Sequence, residues 1–106
     1  MLQLDGLMIC VTRGDTAWLT LRFEGLVPPD GTEAWATLKR HVGDAVPIWK
    51  KRLVVVGGAV TLRLTTADTE LPFGLYRWDL RLRMDGETLT PFPPQIFEIA
   101  EVVGDA

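Results

Sequence analysis

The strongest structural signal in this chain is the segment Tyr76-Arg77-Trp78-Asp79-Leu80-Arg81-Leu82-Arg83-Met84-Asp85-Gly86. Apolar or aromatic side chains occupy every second position up to Met84, and charged side chains lie between them. Successive side chains of a β-strand point to opposite faces, so the alternation predicts a strand with one apolar and one charged face. Asp85-Gly86 is a favoured two-residue hairpin turn, which predicts that the chain folds back on this strand.

The same two-residue period extends over most of the chain. It predicts further strands at residues 7–12, 17–23, 33–41, 60–65 and 95–103, with one bent strand or two short ones at residues 48–56. Turn signals separate the strands at Pro28-Pro29-Asp30-Gly31 and at Gly57-Gly58. No segment shows a sustained helical period, although Thr66 could cap one helical turn over residues 66–71.

The prolines near the C-terminus predict a break in the strand pattern. Pro91, Pro93 and Pro94 lack the N–H that a strand ladder requires, so we expect them to interrupt pairing between residues 90 and 95. Even so, about seven or eight short strands with one polar face each predict an antiparallel β-sandwich, with a small open barrel as the rival architecture.

Composition restricts the classes of function. The 106 residues suit a single domain, residues 1–106. The sequence contains no Ser, no Asn, one Cys (Cys10) and one His (His41), which excludes a Ser-His-acid triad, N-glycosylation, a Cys/His zinc site and an intrachain disulfide. The aspartates of the turns stand singly, without the spacing of a calcium loop, so we expect neither a metal site nor a cofactor.

The charge and hydropathy patterns exclude other partners. A net charge of −3 argues against general nucleic-acid binding, which usually needs a basic excess. No apolar run approaches the roughly 20 residues of a membrane span, so we expect no membrane partner. The N-terminus lacks the basic and apolar parts of a signal peptide, and we therefore expect no export by the general secretory route.

Tryptophans and cations are the candidate contact residues. Trp78 has the phase of the core, whereas Trp18 and Trp35 lie on the polar phase of their strands. Large apolar side chains on an outer face often mark an interface, unless a bulge turns one of them inward. The predicted partner-binding set is Trp18, Trp35 and Trp49 as apolar anchors, with Lys50, Lys51, Arg81 and Arg83 as charged groups that orient the partner. The alternative is a solvated face whose cations pair with neighbouring carboxylates.

No set of acid, base and nucleophile can be named, so we predict no catalytic residues and no enzyme activity. Asp68 and Tyr76 are the nearest approach to such a pair. Asp68 is predicted to cap its own turn, and the Tyr76 hydroxyl is predicted to bond to backbone upstream, as a tyrosine at a sandwich corner does.

The order of turns and strands resembles a known family. The resemblance covers residues 12–103 and rests on Gly14-Asp15-Thr16 before residues 19–23, on Asp30-Gly31-Thr32 before residues 36–39, and on residues 60–65, Asp68-Thr69, residues 74–80, Asp85-Gly86 and Phe97-Glu98-Ile99. These features are similar to the immunoglobulin-like domain at the N-terminus of phage upper-baseplate and tail-fibre proteins.

The resemblance implies an all-β, immunoglobulin-like antiparallel β-sandwich of seven to eight strands. It also implies a structural function, as a phage or prophage tail or baseplate assembly module that acts through protein–protein contacts. The expected partners are other tail or baseplate subunits, or further copies of the chain in a homo-oligomer. The expected location is the virion tail, or the bacterial cytoplasm before assembly.

Two expectations qualify this reading. Because the sequence ends after the last strand of the resemblance, an adaptor or accessory component is expected rather than a receptor-binding fibre. The alternative function is a small carbohydrate-binding module that uses the exposed tryptophans as a platform for sugar rings.

Overall fold

The computed structural model describes residues 8–25 and 27–101. This part of the chain is mostly β-structure, with one short helix between the fifth and sixth strands. In chain order the elements are β1 (Ile9–Thr12), β2 (Ala17–Arg22), β3 (Glu33–Lys39), β4 (Trp49–Val54), β5 (Ala59–Leu64), α1 (Thr66–Thr69), β6 (Gly74–Met84) and β7 (Glu87–Ala100). The all-β prediction is confirmed, and the stretch predicted at residues 48–56 contains one strand, Trp49–Val54, followed by an isolated bridge at Val56.

The strands form two sheets. The five-stranded sheet has the order β1-β7-β6-β3-β4, and the two-stranded sheet pairs β2 with β5. Every pairing is antiparallel except that of β1 with β7, which is parallel, so the larger sheet is mixed rather than purely antiparallel as expected. The sequence pattern could not show this, because strand alternation is the same in both pairing directions.

One core lies between the two sheets. The two-stranded sheet contributes Leu62 and Leu64, and the five-stranded sheet contributes Leu38, Trp78 and Phe92. Trp78 is 1% exposed, which confirms the core position that its strand phase predicts. The side chains that alternate with these core residues point away from the core, on the outer face of each sheet.

The prolines do not interrupt β7, contrary to the sequence expectation. The strand runs without a break from Glu87 to Ala100 and takes up extra residues at two register shifts against β6, between Trp78 and Leu80 and between Leu80 and Leu82. Within residues 8–25 and 27–101, β1 pairs with β7 from Phe97 to Ala100. In that part of the chain the proline segment has a paired strand, β6, on one side, and the two register shifts accommodate the prolines there.

Both predicted two-residue turns are present. Asp85 and Gly86 have φ values of 54° and 77°, and Gly57 and Gly58 have values of 60° and 71°. Positive φ at both central residues is the type I′ geometry that matches the twist of a hairpin.

The helical turn is capped one residue earlier than expected. Thr65, not Thr66, is the N-cap: its hydroxyl accepts a hydrogen bond from the Asp68 backbone N–H at 3.3 Å, and the Asp68 carboxylate accepts one from the Thr65 N–H at 2.8 Å. This reciprocal pair is a capping box. It confirms that Asp68 caps its own turn.

The corner between α1 and β6 is closed by Tyr76. Its hydroxyl donates to the Pro72 carbonyl oxygen at 2.6 Å, as predicted, while the ring is buried. The guanidinium of Arg40 lies over the same ring, 4.6 Å from its centroid. This contact links the β3–β4 loop to the first residues of β6.

Candidate functional site

Most of the cationic side chains of three neighbouring strands lie on the outer face of the five-stranded sheet. The outward positions of β3, β4 and β6 carry six cations and two carboxylates, a surplus of four positive charges on a chain of net charge −3. Trp35 and Thr37 lie among them on β3. We call these residues the cationic face: Glu33, Trp35, Thr37, Lys39, Lys50, Arg52, Arg77, Asp79, Arg81 and Arg83.

A groove of about 260 Å³ crosses the cationic face. Trp35, Asp79 and Arg81 line it on the sheet, and Val42 and Pro47 line it from the β3–β4 loop. A second depression beside Arg40 and His41 shares Val42 and Arg77 with this groove. The concave surface therefore continues from the middle of the sheet to its edge at the β3–β4 loop.

Asp79 is the one carboxylate among the described residues that line the groove. In the strand register it pairs with Thr37, and its outward neighbours on β6 are Arg77 and Arg81. No donor in the described part of the chain reaches its Oδ1 atom, which is buried. Burial raises the pKa of Asp79 above its ordinary value, and the attraction of Arg81 and Lys39 opposes this shift without cancelling it.

Most cations of this face have no anionic partner. Within residues 8–25 and 27–101, the one ion pair on the face joins Arg52 to Glu33, at 3.2 Å. Arg81 makes only a 3.3 Å hydrogen bond from its Nε to the Thr90 hydroxyl. The cationic face therefore does not match the sequence alternative of a surface neutralised by its own neighbouring carboxylates.

Four of the seven predicted contact residues meet on the cationic face. Trp35 pairs with Arg81 in the strand register, and Lys50 Nζ lies 5.4 Å from the centroid of the Trp35 ring. Arg83 lies two residues beyond Arg81, opposite Glu33. One aromatic ring and three cations of the predicted set thus share one surface.

Trp18 lies on the other side of the molecule. It is on the outer face of the two-stranded sheet, with 68% of its surface exposed. The Arg63 guanidinium stands 5.0 Å from its ring centroid. Since the core separates the two outer faces, Trp18 and Trp35 cannot contact one flat ligand together.

The structure corrects the predicted contact set at two positions. The side chains of Trp49 and Lys51 point toward the core side of the sheet, not toward a partner. Trp49 pairs with the buried Leu38, and its ring meets Phe97 edge-on at 6.0 Å. Its Nε1 donates to the Asp68 carbonyl oxygen at 3.3 Å, and Lys51 Nζ binds the Asp68 carboxylate at 2.7 Å. Directly paired residues of adjacent strands share a face, so the register with β3 places both on the core side without any bulge in β4.

Among the groove residues that the predicted contact set left out are Thr37, Lys39, Arg77 and Asp79. The signal was present in the alternation of β6, because Arg77, Asp79 and Arg81 are separated by two residues each and must share a face. The contribution of β3 could not be read in the same way. It depends on which strand lies beside β6, and strand order is a tertiary property.

Several polar groups away from the cationic face have local structural partners. Asp30 accepts a hydrogen bond from the Gly57 N–H at 2.9 Å, and Asp44 accepts one from the His41 N–H at 3.0 Å. The exposed Cys10 thiol bonds to the Glu98 carboxylate at 3.4 Å, which raises the pKa of Cys10 and favours the unreactive thiol form. Among the described residues, no group of three or more His, Cys, Asp or Glu side chains is placed to hold a metal ion.

Two further findings concern the molecule as a whole. No helix within the described ranges has the length and apolar character needed to cross a membrane. Comparison of the chain with protein-family models, with curated proteins and with solved structures finds no match.

Proposed function

We propose that the chain folds as an immunoglobulin-like β-sandwich. Three features support the proposal: the separation of β2 and β5 from the other strands, the parallel pairing of β1 with β7, and the bond from the Tyr76 hydroxyl to Pro72. A tyrosine near the start of the sixth strand that bonds back to the preceding corner is a recurring feature of such sandwiches.

We propose that the function is structural: a phage or prophage tail or baseplate assembly module that binds another protein through the cationic face. The observation that carries the docking proposal is the surplus of four positive charges on this face of a net acidic chain. Unpaired cations beside a large aromatic ring are typical of protein interfaces, where Arg and Trp supply much of the binding energy. The phage context rests on the ordered turns and strands of the sequence.

The dimensions of the molecule are sufficient for stable docking. Its principal extents are 47 × 29 × 23 Å. A standard interface buries roughly 800 Å² per partner, which a broad sheet face of this size can supply. Complementary charge would mainly speed association and fix orientation, and the groove beside Trp35 would receive an anchoring side chain.

The test is co-purification with tail or baseplate proteins encoded beside the gene, using a charge-reversal variant of the face. We expect Arg81→Glu combined with Arg83→Glu to abolish the complex. The matched control is Arg22→Glu combined with Arg63→Glu on the opposite sheet, which should leave the complex intact. Equal loss in both variants, or a complex that survives reversal of the cationic face, would contradict the proposal.

Light scattering across a range of protein concentrations tests whether the partner is a second copy. A mass that rises with concentration, and that falls back to the monomer in the Arg81→Glu/Arg83→Glu variant, would identify self-assembly through the cationic face. A concentration-independent monomer together with a tail-protein complex would identify assembly with a different subunit.

The second candidate function, a small carbohydrate-binding module, is carried by the exposed ring of Trp18. It predicts a change in tryptophan fluorescence on addition of glycans, and loss of that change in Trp18→Ala. The assembly proposal predicts instead that Trp18→Ala behaves as wild type and that Trp35→Ala weakens the complex. The two variants therefore separate the two functions.

A further inference from the structure

The cationic face carries a charge pattern as well as a charge surplus. The outward residues of β6 read Arg77, Asp79, Arg81: a base, an acid and a base. Alternate residues of a strand are roughly 6.6 Å apart and point the same way. The three charges therefore form a row along the strand, with Asp79 in the middle.

The neighbouring strands surround this row with more positive charge. Thr37 lies beside Asp79, Lys39 is one outward position further along β3, and Lys50 pairs with Thr37 from the other side. Asp79 is thus a single acceptor enclosed by cations on its own strand and on the two strands beyond it. The Arg52–Glu33 ion pair lies outside this inner group.

In the described part of the chain, Asp79 has no hydrogen-bond donor for one of its two carboxylate oxygens. Its Oδ1 atom is buried and receives no hydrogen bond within the described residues, although two arginines flank it. A partly buried carboxylate with an unbonded oxygen costs stability, and a basic group bound in the groove would offset that cost by pairing with the charge of Asp79. The flanking Arg77 and Arg81 likewise have no anionic partner in the part of the chain that the structure describes.

We propose that the groove binds an extended acidic segment of another protein in which one basic residue stands between two acidic ones, in the order acid-x-base-x-acid. This inference rests on the docking function proposed above. A segment in strand conformation over β6 has the same repeat as β6 itself. Its basic side chain then meets Asp79 while its two carboxylates meet Arg77 and Arg81.

The segment belongs to a chain other than the printed sequence. No stretch of the 106 residues has an acid, a base and an acid at successive alternate positions. Nucleic acid fits the pattern less well than a protein segment. Its evenly spaced phosphates match the arginines but bring no cation to Asp79, and like charges placed together are unfavourable.

The test is a nuclear magnetic resonance titration of the labelled protein with the capped peptide Glu-Thr-Lys-Thr-Glu. We expect the amide signals of Trp35, Thr37, Asp79 and Arg81 to shift, and those of Trp18 on the opposite sheet to stay in place. The peptide Lys-Thr-Glu-Thr-Lys has the same residue types with the charges inverted. It should bind too weakly to saturate these shifts.

The basic residue at the centre of the peptide is tested by comparing the Lys peptide with one that carries Gln in its place. Replacing the peptide Lys with Gln should weaken binding roughly two- to fivefold, the range expected for one partly exposed ion pair. In the Asp79→Asn protein the two peptides should bind equally, because the carboxylate that distinguishes them is gone. Asp85→Asn, in the hairpin turn away from the groove, is the matched control and should keep the preference.

Three results would overturn the inference: shifts that map away from the groove, a preference for the Lys peptide that survives Asp79→Asn, or a thymidine oligonucleotide that shifts the same amides more strongly than the peptide. None of these three results decides the proposed assembly function, which the charge-reversal variant tests separately. If Arg81→Glu/Arg83→Glu still abolishes the tail-protein complex, the face docks a protein of different chemistry. If it does not, the docking proposal itself fails.

Discussion

Asp79 and Asp68 show how two aspartates of one fold acquire opposite pH behaviour. Asp79 is partly buried in the groove and one of its carboxylate oxygens has no donor in the described part of the chain, and burial raises its pKa. Asp68 is also partly buried, which alone would raise its pKa, but hydrogen bonds from Lys51 and Thr65 and the charge of Lys51 outweigh burial and lower it. The number of donors therefore decides the direction of the shift.

The first prediction is that Asp79→Asn stabilises the protein at neutral pH. A folded-state pKa above the unfolded value, about 3.9, means that ionisation of Asp79 costs stability above that pH. The amide has the same shape and no charge, so it removes this cost. The urea midpoint of the variant should exceed that of wild type at pH 7, and the two should converge below about pH 4. A variant less stable than wild type at pH 7 would contradict the prediction.

The second prediction is that Asp68→Asn destabilises the protein by about 1 kcal/mol at pH 7, because it weakens the cap of α1 and removes the charge that binds Lys51. The folded-state pKa of Asp68 is depressed. Its contribution is therefore present above the unfolded pKa and is lost as the pH falls through the folded value. Urea unfolding at pH 7 and at about pH 3 measures both parts.

The control for this second prediction is Asp85→Asn, since Asn tolerates the positive φ of the turn equally well. It should stay within about 0.5 kcal/mol of wild type. A deficit in Asp68→Asn that persists unchanged at about pH 3 would show that the charge of Asp68 contributes nothing.

At the scale of elements, β4 shows why a strand phase can be misread. Trp49, Lys50, Lys51 and Arg52 offer no apolar-polar alternation, so the sequence alone does not distinguish the core side from the outer side. The pairing of Leu38 with Trp49 decides it, because β3 has an unambiguous phase and imposes it on its neighbour. Two of the three candidate residues of β4, Trp49 and Lys51, consequently lie on the opposite face from the one expected.

The β6–β7 hairpin was predictable in its first strand and its turn but not in its second strand. Alternation and Asp85-Gly86 specify β6 and the type I′ turn locally. The continuity of β7 through three prolines depends instead on where its neighbours are. In the described part of the chain, β1 pairs with the last four residues of β7, and the sequence pattern does not show this arrangement.

The third prediction belongs to this hairpin: Gly86→Ala should destabilise the protein by about 1 kcal/mol or more. A Cβ at Gly86 would meet nothing within 4 Å, so the cost comes from the φ of 77° alone. Gly43→Ala is the matched control, because it is equally open and has no positive φ. Equal unfolding midpoints for the two variants in urea would refute the conformational explanation.

At the scale of the whole molecule, the arginines proposed to bind a partner are not the residues that form ion pairs within the described part of the fold. The cationic face keeps Arg81 and Arg83 exposed and outside any ion pair within the described ranges, so no ion pair of the fold depends on them. Like charges gathered on one face repel one another slightly, and a ligand of opposite charge relieves this repulsion.

The fourth prediction follows from this arrangement: Arg81→Glu combined with Arg83→Glu should lower the free energy of unfolding by no more than about 1 kcal/mol, because both side chains are exposed and the loss of the Arg81 attraction to Asp79 is the main cost. Thermal unfolding followed by circular dichroism measures it. A large fall in the unfolding temperature would mean that these arginines stabilise the fold, and loss of a complex in this variant could then not be assigned to docking.

The sequence by itself determined the strand periodicity, the two hairpin turns, the buried position of Trp78 and the shared face of Arg77, Asp79 and Arg81. These are local properties, set by side-chain alternation and by turn geometry over a few residues. Only the tertiary structure decided that β3 lies beside β6, that Trp49 and Lys51 face inward, and that the core separates Trp18 from Trp35. Strand order and register arise from contacts between residues far apart in the chain, and no local pattern encodes them.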